Sequence, residues 1–544
     1  MPLSKRSLIV CSLITLGNLG SACSSADESA TGGSSVGGSA ANTGGLGSAA
    51  GMSAGAGGGP AGTGGLATGG SGSVNAGGTA SGGVDNAGGS GGTVLGPVPP
   101  QGTPATVLLD GAMLKQVQQT LITSGGSPAQ HTALTNLIAA AEIALGSGTW
   151  SVTTKSSAYV VKSDPHEYVS WSPYFWPPDA KPPTDTGTFG KCPYVAHDGV
   201  HNPDVAKVTD RHGLHASSEA IFELSLAWYF TGNTKYADQA ELVARTWFLD
   251  PSTAMNPSMA YAQSNGPCGA GTATGIIEAS GGYLTDALDG LSILALDTRD
   301  NGWKNSDQAG MKAWLGKFVE FLKTSSVGKA ENAAANNHGT WFDALLSSIY
   351  LFTGDSAGAK SLVNAARTQR IDPQIEGDGR MPLELARPTS WHYSNYNAAA
   401  LCRLAGVAKH VGVDLWAYQN PKGGSIAKAI AYLLPTAVAT APPGPWAQYK
   451  DITTPFDAAY QAESYYSLHA LAEFGGNEAA SALFQVSPAP VPVPGHYCSG
   501  ERFPLGSDFC AITPGSNVFS DLQPDATGAV DMWPLIPTCR VPIN

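Results

Sequence analysis

Residues 217–248, SSEAIFELSLAWYFTGNTKYADQAELVARTWF, hold two apolar-periodic runs joined by Thr231-Gly232-Asn233-Thr234. In each run apolar residues recur at three- and four-residue intervals, the period of one helix face. Between the runs a Gly can take the left-handed stop of the first helix and an Asn can cap the second, so the stretch predicts a helical hairpin. The join Phe230-Thr231-Gly232-Asn233-Thr234 is echoed by Phe352-Thr353-Gly354-Asp355-Ser356 and, more weakly, by Phe474-Gly475-Gly476-Asn477-Glu478, at equal spacing. A ring of repeated hairpins produces such echoes. Working outward, the same period covers 108–121, 129–145, 309–322, 341–352, 357–367, 427–434 and 458–474, and alternating strand patterns are scarce. The expectation is an all-α fold over residues 101–486, an α/α toroid of about six to seven helical hairpins.

The flanks read differently. Residues 1–22 resemble an export signal: Lys5 and Arg6 supply the charge, 8–19 an apolar run too short to span a bilayer, and Gly20-Ser21-Ala22 a cleavage site. Cys23 follows at once, the place where a bacterial lipoprotein carries its lipid, so membrane contact is expected only through a lipidated Cys23. The protein is expected outside the cytoplasm, as an outer-membrane or cell-surface lipoprotein, otherwise periplasmic or secreted. Residues 23–100 are Gly, Ser, Ala and Thr with almost no large apolar side chain, which predicts a disordered tether with a reach on the order of 50 Å. Residues 487–544 begin Pro-rich and carry Cys498, Cys510 and Cys539, and are expected to form a disulfide-pinned extension. With Cys192, Cys268 and Cys402 they make six thiols that favour disulfides in an oxidising compartment, with the pairing left open.

Of the 544 residues only 13% are charged, with 42 acids against 29 bases and a net charge of −13. Binding phosphates needs clustered cations, so this balance argues against nucleic acid or an anionic membrane as partner.

Three stretches carry candidate chemistry. Residues 163–204 break the helical pattern, hold Trp171, Tyr174, Trp176 and Tyr194, and end His197-Asp198-Gly199-Val200-His201-Asn202-Pro203-Asp204. An irregular segment of about 40 residues inside a compact domain is usually functional. His197 and His201 have a metal-like spacing but no helix to align them, so no metal and no cofactor is expected. Asn336-Asn337-His338-Gly339-Thr340-Trp341 opens an apolar helix, where unpaired N–H groups favour anions; Asn337 and His338 there could face a carboxylate or simply cap the helix. In residues 384–397 Arg387, Trp391, His392, Tyr393 and Tyr396 crowd together. Arg offers a fork for a carboxylate, and its charge favours the phenolate of a nearby Tyr, whose free pKa of about 10 is too high for a base at neutral pH.

Taken together, 168–177, 198–204, 255–263, 336–341 and 384–393 resemble the alginate lyase family of polysaccharide lyases, built on an α/α toroid. The resemblance implies β-elimination on an acidic polysaccharide such as alginate or glucuronan, by a monomer. It implies that Asn337, His338 and Arg387 neutralise the uronate carboxylate. It implies that Tyr393 is general acid to the leaving oxygen and, for a syn elimination, base as well; for an anti elimination His338 would be the base. Trp171, Tyr174, Trp176, Tyr261, Gln263, Trp341, Trp391 and His392 become candidates for contact with the sugar rings. Pro388 directly after Arg387, and the short step from Arg387 to Tyr393, depart from the best-known members and leave the polymer open. Two other readings stand beside this one. A toroidal glycoside hydrolase would need two carboxylates flanking the bond, where Glu384 and Asp343 have no obvious partner. A surface carbohydrate-binding protein would lack catalysis.

Overall fold

A helix buried on one stripe lies at a surface, and one buried all round lies between others. Both kinds occur here. In the computed structural model, which describes residues 97–269, 271–281, 283–437, 448–450, 458–481 and 535–536, the first hairpin is α1 (Gly111–Ser124) with α2 (Pro128–Ser147). The hairpin of α3 (Asp210–Thr231) and α4 (Thr234–Ala244) follows the aromatic segment. Next come α5 (Ile277–Ser280), α6 (Tyr283–Leu294), α7 (Asn305–Thr324) and α8 (Ser326–Asn332). A further hairpin pairs α9 (Asn337–Thr353) with α10 (Ser356–Ala366). The short α11 (Asp372–Gln374) and α12 (Pro382–Leu385) lead to α13 (Ser390–Lys409), and α14 (Ile426–Ala431), α15 (Leu434–Ala437) and α16 (Ala458–Glu473) complete the order. The signal-like residues, Cys23, the tether before residue 97 and nearly all of the extension lie outside the described residues.

The recurrent joins do what their residues dictate. Gly232, Gly354 and Gly476 take φ of 73°, 97° and 61°, and Asn233, Asp355 and Asn477 accept backbone N–H bonds from the helices that follow. At Gly232 a Cβ would collide with the Val98 backbone, so conformation and space both demand glycine.

Packing runs α2 on α3, α3 on α6, α6 on α9, α9 on α13 and α13 on α16, with α4, α7 and α10 outside. This is an α/α toroid, as expected. All 12 residues of α6 are buried, which explains why its stretch shows no amphipathic period. Paired buried charges join the inner helices: Arg403 of α13 bonds both oxygens of Asp286 of α6 (2.8 and 3.0 Å). Asp289 of α6 accepts the backbone N–H groups of Val107, Leu108 and Leu109, which fastens the start of the domain to the inner ring. Among the described residues no helix is long and apolar enough to cross a membrane.

The aromatic segment is more ordered than its sequence suggests. Strand β1 (Val169–Trp171) pairs in parallel with β4 (Tyr261–Ser264), and β2 (Phe175–Trp176) pairs antiparallel with β3 (Val195–Ala196). A disulfide from Cys192 to Cys268 ties the segment to the chain just after β4, and Cys402 is also disulfide-bonded.

Candidate active site

Strand β1 is held from below by buried acids. Asp210, at the start of α3, accepts the Val169 N–H (2.9 Å) and faces Lys155 (3.0 Å). Glu278 of α5 accepts from Tyr168 (2.8 Å) and Ser170. Gln263 takes a φ of 46° so that its N–H meets Ser170 Oγ (2.8 Å), and it also bonds Glu278. Strain of this kind persists only where the surroundings over-determine it.

From that base the chain turns through Tyr174, and the loop after β3 folds beside it. Tyr174 O accepts the His197 N–H (2.7 Å), Pro173 O accepts the Asn202 N–H (2.7 Å), and Trp176 Nε1 donates to Val200 O (2.9 Å). Tyr174, Asp198 and His201 are thereby aimed at the start of α13. The Tyr174 hydroxyl lies 2.9 Å from that of Tyr393, and the His201 ring stands edge-on to Tyr174 at 5.1 Å.

Arg387, in the turn between α12 and α13, folds back so that its guanidinium carbon sits 3.6 Å above the Tyr393 ring. Its fork is taken by Asp198, Nε to Oδ2 at 3.0 Å and Nη2 to Oδ1 at 2.7 Å. His392 lies 5.2 Å from the Tyr393 ring and stacks on Tyr396 at 5.8 Å, and Tyr396 packs on Trp341 of α9 at 5.0 Å. The N-terminal halves of α9 and α13 are therefore neighbours.

At the start of α9 the two expected residues part company. Asn337 is 0% exposed: its N–H and Nδ2 donate to the two oxygens of Glu384 (2.8 and 2.7 Å), which pins α9 to α12. Its Nδ2 is thus bonded to Glu384, while among the described residues its Oδ1 is buried without a hydrogen bond. His338 keeps 15% of its side chain exposed, with Nδ1 2.7 Å from Glu331 Oε1. A carboxylate only accepts, so Nδ1 is a protonated nitrogen of this ring.

The electrostatics correct one expectation. Burial holds the Tyr393 phenol well above the usual range, and although Arg387 pulls it down, burial wins. Burial also raises Tyr174, against the bond from Tyr393 and the charges of Arg387 and Arg211, which favour its anion. Burial, with Arg211 and His392, pushes His201 down to about 3, so it is neutral. For Arg387, burial works against the charge but Asp198 more than offsets it, and the pKa is raised.

Several proposed sugar contacts are core. Trp171, Trp176, Trp341 and Trp391 are 4% exposed or less, with neighbours on their faces and edges, and offer no ring to a sugar. Gln263 is likewise buried, whereas Tyr174, Tyr261 and His392 are half-buried. Glu384 and Asp343, the acids a hydrolase reading would use, are buried and spent on Asn337 and Arg370. Arg211 was missed: it lies near Tyr174 and His201 with Nε 3.7 Å from Glu278. Its signal was present in Asp210-Arg211-His212, a polar run opening a long apolar helix.

The family described as alginate lyase matches residues 151–446. A crystal structure of an alginate lyase from Bacteroides ovatus is 30% identical, with a TM-score of 0.63, covering 72% of this chain and 98% of its own. An alginate lyase from a Sphingomonas species is 16% identical, with a TM-score of 0.40 over 69% of this chain and 90% of its own. No curated protein sequence matches.

Proposed function

The chain belongs to the alginate lyase family of polysaccharide lyases, and from that premise we propose that it cleaves a uronic-acid polymer, alginate or a polyuronate such as glucuronan, by β-elimination around Tyr393. The observation that carries this reading is Tyr393, its hydroxyl 2.9 Å from a second phenol and its ring beneath the Arg387 guanidinium.

Elimination removes the C5 proton of a uronate, forms the C4=C5 bond and expels the C4 oxygen. Negative charge builds on the carboxylate, and donors already in place lower that barrier. Arg387 is the fork for this carboxylate once Asp198 yields it. Asn337 and His338 at the start of α9 complete the set that neutralises the carboxylate, with Asn337 fixed there by its bonds to Glu384. Tyr393 protonates the leaving oxygen. For an anti elimination, His338 Nε2 takes the C5 proton, its ring held by Glu331.

The same proposal includes export and a lipid anchor on Cys23, with residues 23–100 as tether, which the signal-like residues 1–22 and the composition of 23–100 support. The test of the reaction is to mix the protein with polymannuronate, polyguluronate and glucuronan and follow ultraviolet absorbance of the unsaturated ends. Absorbance rising on at least one polymer is expected. New reducing ends without unsaturation, or no cleavage by folded protein, would contradict it.

A further inference from the structure

We propose that the hollow between α14 and the turn at 376–380 is a distal subsite for the polyuronate. Tyr432 carries a sugar ring there, Lys428 meets its carboxylate, and Lys450 meets the carboxylate of a sugar lying between the hollow and Arg387. The inference rests on the elimination reading and adds to it a dependence on chain length.

The hollow is preformed by local bonds. Glu376 N–H donates to Arg380 O and Gly379 N–H to Glu376 O, both at 2.9 Å, which closes the turn. Gly379 takes a φ of 92°, and a Cβ there would collide with the Lys428 carbonyl, so the turn lies directly against α14. Across the same join Lys428 Nζ donates to Gly377 O (3.0 Å) and Lys422 pairs with Glu376 (2.9 Å). What remains is an open hollow of about 550 Å³, the size of a small-ligand site, lined by Asp378, Lys428, Ala431, Tyr432, Pro435 and Gln448 among others.

Lys450 joins this hollow to the reacting centre. Its N–H donates to Ser390 Oγ (2.8 Å) and its Nζ to Ala386 O (2.5 Å). Ala386 directly precedes Arg387, and Ser390 lies three residues before Tyr393, about 4.5 Å along the axis of α13. Gln448, in the wall of the hollow, is two residues from Lys450, at most about 7 Å of chain. A polymer held at Arg387 therefore has the hollow within reach of its neighbouring sugars.

The residues suit a ring that carries an anion. Tyr432 is half-buried, packed against the core cluster on one side and lining the hollow on the other. An aromatic ring offers an apolar face to the C–H face of a sugar, while Gln448 offers an amide to its hydroxyls. Lys428 and Lys450 are exposed, and each Nζ bonds one carbonyl and keeps two N–H groups for a further acceptor. Among the described residues neither lysine forms an ion pair, whereas Asp378 is matched by Arg380 at 2.7 Å. In a chain of net charge −13, two such lysines beside the reacting Arg387 favour an anionic polymer locally.

The test measures kcat and KM by ultraviolet absorbance on the polymer and on its size-fractionated oligomers. It compares the full chain with Lys428→Gln, Lys450→Gln, the double variant, and Lys317→Gln, which removes the same charge from the outer helix α7. The double variant should raise KM for the polymer about fivefold or more, with kcat within about twofold. In the wild type KM should fall as oligomers lengthen, and in the double variant that fall should flatten, because only longer chains reach the hollow. Tyr432→Leu, which keeps an apolar side chain on the core, should flatten it too. Equilibrium binding of polymer to Tyr393→Phe protein, with and without the two lysine changes, should show the same fold-change without turnover, and thermal melting checks that each variant folds. An unchanged polymer KM in the double variant, an equal rise in Lys317→Gln, or a loss of the same size at every chain length would overturn the subsite. A wild type that forms no unsaturated ends from any polymer would overturn the elimination reading instead.

Discussion

Asp198 holds the Arg387 fork with both oxygens, in the geometry a uronate carboxylate would adopt. Substrate binding is then an exchange of one carboxylate for another. Asp198 is 44% exposed and Arg387 22%, so the bridge lies where a bound polymer can reach it. Replacing Asp198 by Asn removes the competing charge and should lower KM about two- to fivefold with kcat little changed, as steady-state kinetics would show. An unchanged KM would mean that the substrate carboxylate does not use this fork. At this scale the sequence was legible in part. It pointed to Arg387 and Tyr393, because Arg, His and Tyr crowded in a helix start are unusual as plain core, to His338 through the polar start of α9, and to Tyr174, as a sugar contact, through the irregular aromatic segment. It could not say that Asn337 would bond Glu384 through its N–H and Nδ2, since their approach depends on the tertiary meeting of α9 and α12. Nor could it separate buried tryptophans from exposed ones, because residues of either kind are apolar and sit beside the same motifs.

Among elements, the segment from β1 to the loop after β3 places both Tyr174 and Asp198, and the Cys192–Cys268 disulfide clamps it to the chain after β4. Replacing both cysteines by Ser should cost about 2–5 kcal/mol of stability, seen as a lower melting temperature. It should also lower kcat/KM, because the segment would no longer hold Tyr174 against α13. A lower melting temperature with an unaltered rate would show that the clamp is structural only. The outer hairpins were readable from apolar period, Gly stops and caps. Of the inner helices α3 and α9 were read as well, but α6 and α13 were not: α6 is buried on every side, and α13 buries polar residues such as Tyr393 and Asn397, so neither shows one clean stripe. The short strands pair across sequence distances that no local pattern records.

For the whole molecule, a net charge of −13 opposes the approach of an anionic polymer. Raising ionic strength from about 0.01 to 0.15 M shortens the screening length from about 30 to about 8 Å, so KM for a polyuronate should fall over that range. A KM that climbs with salt would show that local cations such as Arg387 and Arg211 dominate encounter. The most direct test of the account is the absorbance time course on the preferred polymer for wild type and Tyr393→Phe, with thermal melting as the check on folding. The account predicts a variant that melts like wild type and produces unsaturated ends at least about 100-fold more slowly. A folded variant that eliminates at the wild-type rate would contradict it.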